Sequence, residues 1–241
     1  MTRKSSLNFF AAFAAASLIL ASCGESPSGL ADVEGNGGAN AAGTGGGTGG
    51  GAAVVTARGE LKDSDRVMGS PDAPVTIIEY ASMTCPHCAA FTLGVFPQLK
   101  SEYIDSGQVK FVFREFPLDG IARIASALAR CQTGDNYFAF IDLIFQNQQE
   151  WIAGLGASGQ QMTQELAEES LIEYARMAGL GRDQAIACMR DPQNLAEVDE
   201  NWEEAQNQYN INSTPGFVIN GTTHSGAMPI ESFRDIVDSL L

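Results

Sequence analysis

The stretch Cys85-Pro86-His87-Cys88 decides how this sequence is interpreted. It follows closely on the apolar, β-prone run from Val75 to Ala81 and stands where a helix is expected to begin. Two cysteines three positions apart can close a small disulfide ring. At a helix N-terminus, backbone N–H groups and the helix dipole favour a thiolate at the first sulfur. A stabilised thiolate is a good leaving group, so the pattern predicts a thiol–disulfide oxidoreductase.

The same pattern has two other interpretations, half of a zinc site or a coincidence of two cysteines. A structural zinc site needs four ligands. The other cysteines are Cys23, Cys131 and Cys188, the second histidine is His224, and no further Cys-x-x-Cys or His-x-x-x-His occurs. The sequence therefore favours redox chemistry and predicts neither a metal nor a cofactor.

The N-terminus has the features of a secretory signal peptide. Arg3 and Lys4 precede the mostly apolar residues 7–20, a stretch shorter than the roughly 20 residues of a transmembrane helix. Leu20-Ala21-Ser22-Cys23 resembles a bacterial lipobox, which implies cleavage after residue 22 and a lipid on Cys23. The alternative is ordinary signal cleavage near Ser22, which would leave Cys23 as a free thiol.

Residues 23–59 are rich in glycine and alanine and lack the apolar side chains of a core, which predicts a flexible tether. The folded part is expected to begin near Glu60. The formal net charge is −15, and removal of residues 1–22 would delete two basic residues and no acid. Such a chain is repelled by nucleic acid and by anionic lipid headgroups.

The pattern after residue 60 changes from strand to helix and back. A helix with a kink at Pro97 is expected after the cysteine motif, and helical periodicity dominates from Gly120 to Tyr209, with breaks at 154–159 and 191–192. Asn220-Gly221 is a hairpin signal. Expected strands cover 65–68, 75–81, 109–116, 216–219 and 222–227, with a final helix at 230–241. One helical stripe is expected in the core: Leu195, Val198, Trp202, Ala205 and Tyr209.

Cys131 and Cys188 are the natural pair for a structural disulfide in an oxidising compartment. Closing the long loop between them would stabilise the fold by roughly 4 kcal/mol in the chain-entropy model. The alternative is two buried free thiols.

The order of elements, together with three separated motifs, resembles the DsbA-like branch of the thioredoxin superfamily over roughly residues 65–241. The motifs are Cys85-Pro86-His87-Cys88, whose Pro-His pair matches DsbA, Ser213-Thr214-Pro215 before a strand, and the hairpin sequence at 217–221. The resemblance implies an α/β thioredoxin fold, formed by residues 60–117 and 209–241, with an inserted helical domain at 118–208.

The resemblance also implies the roles of individual residues. Cys85 would be the low-pKa nucleophile, Cys88 the resolving thiol, and His87, with Pro86 beside it, would tune the Cys85 thiolate. Pro215, if cis, would present neighbouring backbone to an extended substrate, with Thr214 bordering that groove. The alternative for Pro215 is an ordinary trans turn proline.

Glu79 lies six residues before Cys85 within an otherwise apolar strand. A buried carboxylate is costly unless it has a partner or a task. Its position matches the acid that moves the proton of the inner cysteine in related folds. The alternative is a carboxylate that faces solvent at the end of the strand.

These features together predict a lipid-anchored dithiol oxidase that faces the periplasm. It would oxidise cysteine pairs of exported proteins and be reoxidised by a membrane redox partner. Thr214, which isomerase and reductase relatives also carry, leaves a reductase or isomerase as the alternative. A copper- or thiol-binding module that uses Cys85, Cys88 and His224 is a third possibility.

Overall fold

The computed structural model describes residues 59–153 and 163–241. They form a five-stranded mixed sheet with helices on both faces, in the strand order β1-β3-β2-β4-β5. The central strand β2 is parallel to β3 and antiparallel to β4, while the outer pairs β1–β3 and β4–β5 are antiparallel. The strands are β1 Val67–Met68, β2 Val75–Ala81, β3 Val109–Glu115, β4 Gly216–Ile219 and β5 Thr222–Ser225.

Strand β2 lies at the centre of the sheet, and most of its side chains are apolar. All seven of its residues are buried, and successive side chains point to opposite faces of the sheet. Ile77 and Glu79 lie on the face that carries the cysteine motif, whereas Ile78 and Tyr80 lie on the other, which the helix Pro192–Tyr209 (α8) covers. The alternation therefore places Glu79 beneath the cysteine motif.

The segment after β2 is helical from Pro86 to Ile104, but it is not one regular helix. Helices α1 (Pro86–Ala90) and α2 (Phe96–Leu99) alternate with π-helical turns at Phe91–Val95 and Lys100–Ile104. Pro97 lies in the first turn of α2, directly after the π-helical turn Phe91–Val95. The kink expected at Pro97 stays a prediction.

Among the residues that the structure describes, six helices lie between β3 and β4 and form the inserted helical block. Asp119, Thr163 and Asp191 cap three of them by accepting hydrogen bonds from backbone N–H groups, a preferred role for short polar side chains. The bounds are α3 Gly120–Arg130, α4 Asp135–Gln146, α5 Gln148–Ala153, α6 Gln164–Met177, α7 Arg182–Met189 and α8 Pro192–Tyr209, and the chain ends with α9 Ile230–Leu240.

The predicted core stripe on α8 is wrong at Trp202, which is 39% exposed and packs at the surface against Phe116. Asn201 and Glu204 are buried instead. Their polar atoms are satisfied by a charged cluster at the sheet, which the hydrophobic periodicity does not register.

That charged cluster fixes the start of the described chain to the sheet. The buried guanidinium of Arg114 forms ion pairs with Asp65 (2.7 Å) and Glu204 (3.0 Å), and it donates to the backbone oxygen of Glu60 (2.8 Å). The N–H of Gly59 donates to the Tyr209 hydroxyl. Residues 59–66 are thus part of the fold.

A second buried guanidinium extends this cluster. Arg130 forms an ion pair with Glu115 (3.0 Å) and another with Glu197, and it donates to the backbone oxygen of Ser64. Tyr137 donates to the same Glu115 carboxylate (2.9 Å). The mutual attraction of buried charges paired in this way offsets the cost of removing them from water, which an isolated buried charge would bear in full.

The hairpin between β4 and β5 forms as predicted. Asn220 and Gly221 have φ values of 42° and 83°, the left-handed conformation that a tight two-residue turn requires. Four predicted bounds shift slightly: β1 begins at Val67, two residues later than expected, β3 ends at Glu115, β5 at Ser225 and the last helix at Leu240.

The predicted α/β fold class is confirmed by this sheet and by the helices inserted between its strands. The helix break predicted at 154–159 lies outside the described residues, as do the signal peptide and most of the tether at 23–59.

Candidate active site

Cys85 occupies the N-cap position of α1, with extended backbone that turns the chain from β2 into the helix. Its N–H donates to the carbonyl of Ser82 (3.0 Å). Its Sγ lies 3.5 Å from the carbonyl oxygen of Thr214, and the peptide bond between Thr214 and Pro215 is cis. Two loops that are distant in sequence therefore meet at this sulfur.

The surroundings of Cys85 favour its thiolate. A hydrogen bond from the Cys88 side chain is the largest influence, and together with the Thr214 hydroxyl it lowers the pKa of Cys85 to about 5 against the opposing effect of burial. The backbone N–H groups of Cys88 and His87, at the start of α1, act in the same direction. Thr214 Oγ1 is buried and has no partner among the described residues in the thiol state, so it is free to donate to a thiolate.

Cys88 has the opposite character. Its side chain is fully buried one turn further into the helix, and burial raises the pKa of its thiol well above the ordinary value. The hydrogen bond to Cys85 and the charge of Glu79 add to that rise. The site thus combines one sulfur poised to be a thiolate with one held as a neutral thiol.

Glu79 is 1% exposed, so the alternative of a solvent-facing carboxylate is not what the structure shows. Burial raises the pKa of Glu79 well above its ordinary value, and the negative charge at Cys85 raises it further. Its Oε1 atom has no hydrogen-bond partner among the described residues. The raised pKa favours the protonated form of Glu79, and the charge of Glu79 in turn acts on Cys88.

Pro86 and His87 are both exposed at the surface of α1. Pro86 takes the first helical position, where proline is well tolerated. The influence on Cys85 that the structure assigns to His87 comes from its backbone N–H.

Two polar contacts at the site were not anticipated from the sequence. Thr84, next to Cys85, donates from its hydroxyl to Asp119 (2.7 Å), which joins the motif to the start of α3. Gln148 is buried, and its Nε2 donates to the carbonyl oxygens of Met83 (3.0 Å) and Cys85 (2.9 Å). No sequence signal distinguishes Gln148 from the exposed glutamines on either side of it.

The other predicted site cysteines are not part of this pair. Cys131 and Cys188 are joined with an S–S distance of 2.04 Å, between the end of α3 and helix α7. Cys23 lies outside the described residues. Within residues 59–153 and 163–241, no group of three or more histidine, cysteine and acidic side chains is arranged to hold a metal ion.

A family model described as thioredoxin matches residues 61–239. The chain belongs to the thioredoxin family. A Rickettsia felis protein, named as a candidate protein-disulfide oxidoreductase, is 30% identical over 183 residues, which are 76% of this chain and 62% of the relative. The Bacillus subtilis "Disulfide bond formation protein D" is 26% identical over 184 residues, 73% of this chain and 76% of the relative.

The fold of this thioredoxin-family chain is of the DsbA type. The crystal structure of Wolbachia pipientis α-DsbA1 superposes with a TM-score of 0.66 at 30% identity, covering 75% of this chain and 92% of the other. The chain spans less than two thirds of the length of the rickettsial relatives. Across the residues that the structure describes, no helix combines the length and apolar character needed to cross a membrane.

Proposed function

We propose that this protein is a thiol:disulfide oxidoreductase that oxidises cysteine pairs of exported proteins. The observation that carries the proposal is the contrast between Cys85, with a pKa lowered to about 5, and the buried, neutral Cys88. Stabilising the reduced form in this way makes the disulfide form a stronger oxidant. The names of the relatives support the same class of chemistry.

In the proposed reaction, a substrate thiolate attacks Sγ of Cys85 in the Cys85–Cys88 disulfide. The S–S bond breaks, and Cys88 leaves with the electron pair and takes up a proton, for which Glu79 is the nearby donor. The second thiolate of the substrate then attacks the substrate sulfur of the mixed disulfide, which forms the substrate disulfide and releases Cys85 as a thiolate. Two electrons pass from the substrate dithiol to the protein, and the substrate gains one disulfide.

Thr214 and Pro215 are proposed to flank the bound substrate, because the carbonyl of Thr214 faces the reactive sulfur. An extended peptide next to this loop could pair with its backbone. A shallow groove beside Asp119, with the exposed side chains of Leu118 and Trp202, adjoins the same site and offers apolar surface to unfolded chains.

We further propose that the protein acts in the bacterial cell envelope, facing the periplasm and anchored by a lipid on Cys23, and that a membrane redox partner reoxidises it. Mass spectrometry of the N-terminal peptide from membrane extracts tests the anchor. A diacylglyceryl-modified Cys23 supports it, and an unmodified Cys23 in the soluble fraction contradicts it.

The reduction potential of Cys85–Cys88, measured by equilibration with glutathione buffers in a protein that begins upstream of Gly59, tests the direction of electron flow. A potential near −120 mV, at the oxidising end of the family scale, is the expected result. A potential near −270 mV would reverse the proposal in favour of a reductase. Absence of exchange, with copper held tightly by the same cysteines, would favour the binding module.

A further inference from the structure

The turn that presents Cys85 is held from the side by a residue of the helical insert. Nε2 of Gln148 donates to the carbonyl oxygen of Met83 (3.0 Å) and to that of Cys85 (2.9 Å). The side chain is 3% exposed. One amide group therefore holds two carbonyls on either side of Thr84, within the turn between β2 and α1.

Gln148 is itself firmly placed. It is the first residue of α5, directly after Asn147, whose carbonyl accepts the N–H groups of Glu150 (2.9 Å) and Trp151 (3.0 Å). The fully buried indole of Trp151 donates to the carbonyl of Ile144 and so fastens α5 to α4. The amide is thus positioned by the packing of two helices of the insert.

The carbonyl oxygen of Cys85 is the negative end of a peptide dipole and lies close to the Cys85 sulfur. It accepts two donors, the N–H of Ala89 (3.2 Å) and the amide of Gln148, which together use both of its lone pairs. These donors offset the negative end of that dipole. They also fix the turn so that the N–H groups of His87 and Cys88 point at the sulfur.

We propose that Gln148 is a positioning residue for the redox reaction, through which the helical insert holds the Met83–Cys85 turn in the geometry that stabilises the Cys85 thiolate. The inference rests on the proposed function and extends it. It makes the insert a determinant of the oxidising strength of the cysteine pair.

The test replaces Gln148 by methionine, which keeps the length of the side chain and removes both donors. Gln149→Met is the matched control, because Gln149 is the next residue on α5 and is exposed. Two quantities are measured for each folded protein: the pKa of Cys85, from thiolate absorbance, and the equilibrium constant with glutathione. For Gln148→Met, we expect the pKa to rise by about one unit and the disulfide form to become about tenfold less oxidising. For Gln149→Met, we expect no change.

Gln148→Asn supplies a second variant, since its amide is one methylene shorter and cannot reach both carbonyls; we expect a smaller shift in the same direction. A folded Gln148→Met protein with wild-type pKa and equilibrium constant would overturn the inference. Loss of folding in both Gln148 variants, with a folded Gln149→Met, would also overturn it, by assigning Gln148 to stability alone. Failure of the proposed function itself would appear in the wild-type protein, as an ordinary cysteine pKa without exchange.

Discussion

The Sγ atom of Cys85 lies 3.5 Å from the carbonyl oxygen of Thr214, although 129 positions separate the two residues in the sequence. The contact joins the start of α1 to the loop before β4. It also places the Thr214 hydroxyl, which is buried and unpartnered in the thiol state, beside the reactive sulfur. The chemistry of the site therefore depends on both ends of the thioredoxin fold.

Replacing Thr214 by valine should raise the pKa of Cys85 above about 5, because the hydroxyl that lowers it is lost while the shape is kept. We expect a shift of about half a unit to one unit, with a corresponding several-fold loss of oxidising strength. Titration of thiolate absorbance measures the pKa. Thr222→Val, at an exposed position of β5, is the control, and an equal shift in both variants would contradict the role of Thr214.

The stability of the reduced protein should depend on pH through Cys85. The pKa of Cys85 is about 5 in the folded protein and near 9.0 in the unfolded chain, so the thiolate stabilises the reduced fold. This contribution to the stability is complete only at a pH above the pKa of Cys85 in the unfolded chain, and it disappears as the pH falls through about 5. The oxidised protein has no such group.

We therefore expect the melting temperature of the reduced protein to fall relative to that of the oxidised protein as the pH decreases from about 8 to about 5. The raised pKa of Cys88 also destabilises the reduced protein, but only at a pH near or above 9.0, the ordinary pKa of a cysteine, which lies outside that range. Differential scanning calorimetry of both redox forms provides the measurement. Cys85→Ser cannot form the disulfide and lacks the thiolate, so its melting temperature should follow the pH dependence of the oxidised wild-type protein. A pH dependence like that of the reduced wild-type protein would place the origin of the trend elsewhere.

Replacing Glu79 by glutamine should increase the stability of the protein and slow its reaction. The buried carboxyl has an unpartnered oxygen and a raised pKa, so its charged form is destabilising at alkaline pH. We expect the free energy of unfolding above neutral pH to increase by about 1–3 kcal/mol.

The same change should slow the steps that transfer the proton of Cys88, by an order of magnitude in stopped-flow exchange with a model dithiol. The pKa of Glu79 is coupled to the charge of Cys85. Unchanged exchange kinetics in Glu79→Gln would remove Glu79 from the mechanism.

Arg114→Met should destabilise the protein by about 3–5 kcal/mol, because the buried carboxylate of Asp65 would lose its ion-pair partner and that of Glu204 would keep only Lys62. Chemical denaturation measures the loss. The exposed pair of Arg176 with Glu173 supplies the control, and Arg176→Met should cost less than about 1 kcal/mol. Equal losses in the two variants would argue against the buried cluster as a source of stability.

Replacing both Cys131 and Cys188 by alanine should lower the free energy of unfolding by about 2–5 kcal/mol, since the bond closes a loop with a sequence separation of 57. The reduction potential of the Cys85–Cys88 pair should stay the same. A large change in that potential would show that the second disulfide shapes the active site and does more than stabilise the insert.

Much of the fold was predictable from local patterns. The bounds of β2, the hairpin at Asn220 and the helical block follow from runs of apolar residues and turn signals, and the structure reproduces them. The cysteine motif identified the site because the two thiols and the helix N-terminus that carries them are adjacent in the sequence.

The contributions of Arg114, Glu204 and Gln148 were not predictable from the sequence. Each is a polar residue whose burial depends on a partner far away in the chain, and hydrophobic periodicity carries no information on such partners. For the same reason Trp202 was wrongly expected in the core, since the pattern cannot show that α8 turns Asn201 and Glu204 towards the sheet.

Residues 59–66 are held to the fold by contacts with Arg114, Arg130 and Tyr209. These contacts have a mechanical consequence. A force applied along the N-terminal chain would reach the fold at β3, at the end of α3 and at the end of α8, through these ion pairs and hydrogen bonds. The helix that begins at Cys85 makes none of these contacts. A force on the N-terminal chain would thus act first on the contacts of residues 59–66 and leave the sulfur of Cys85 in place.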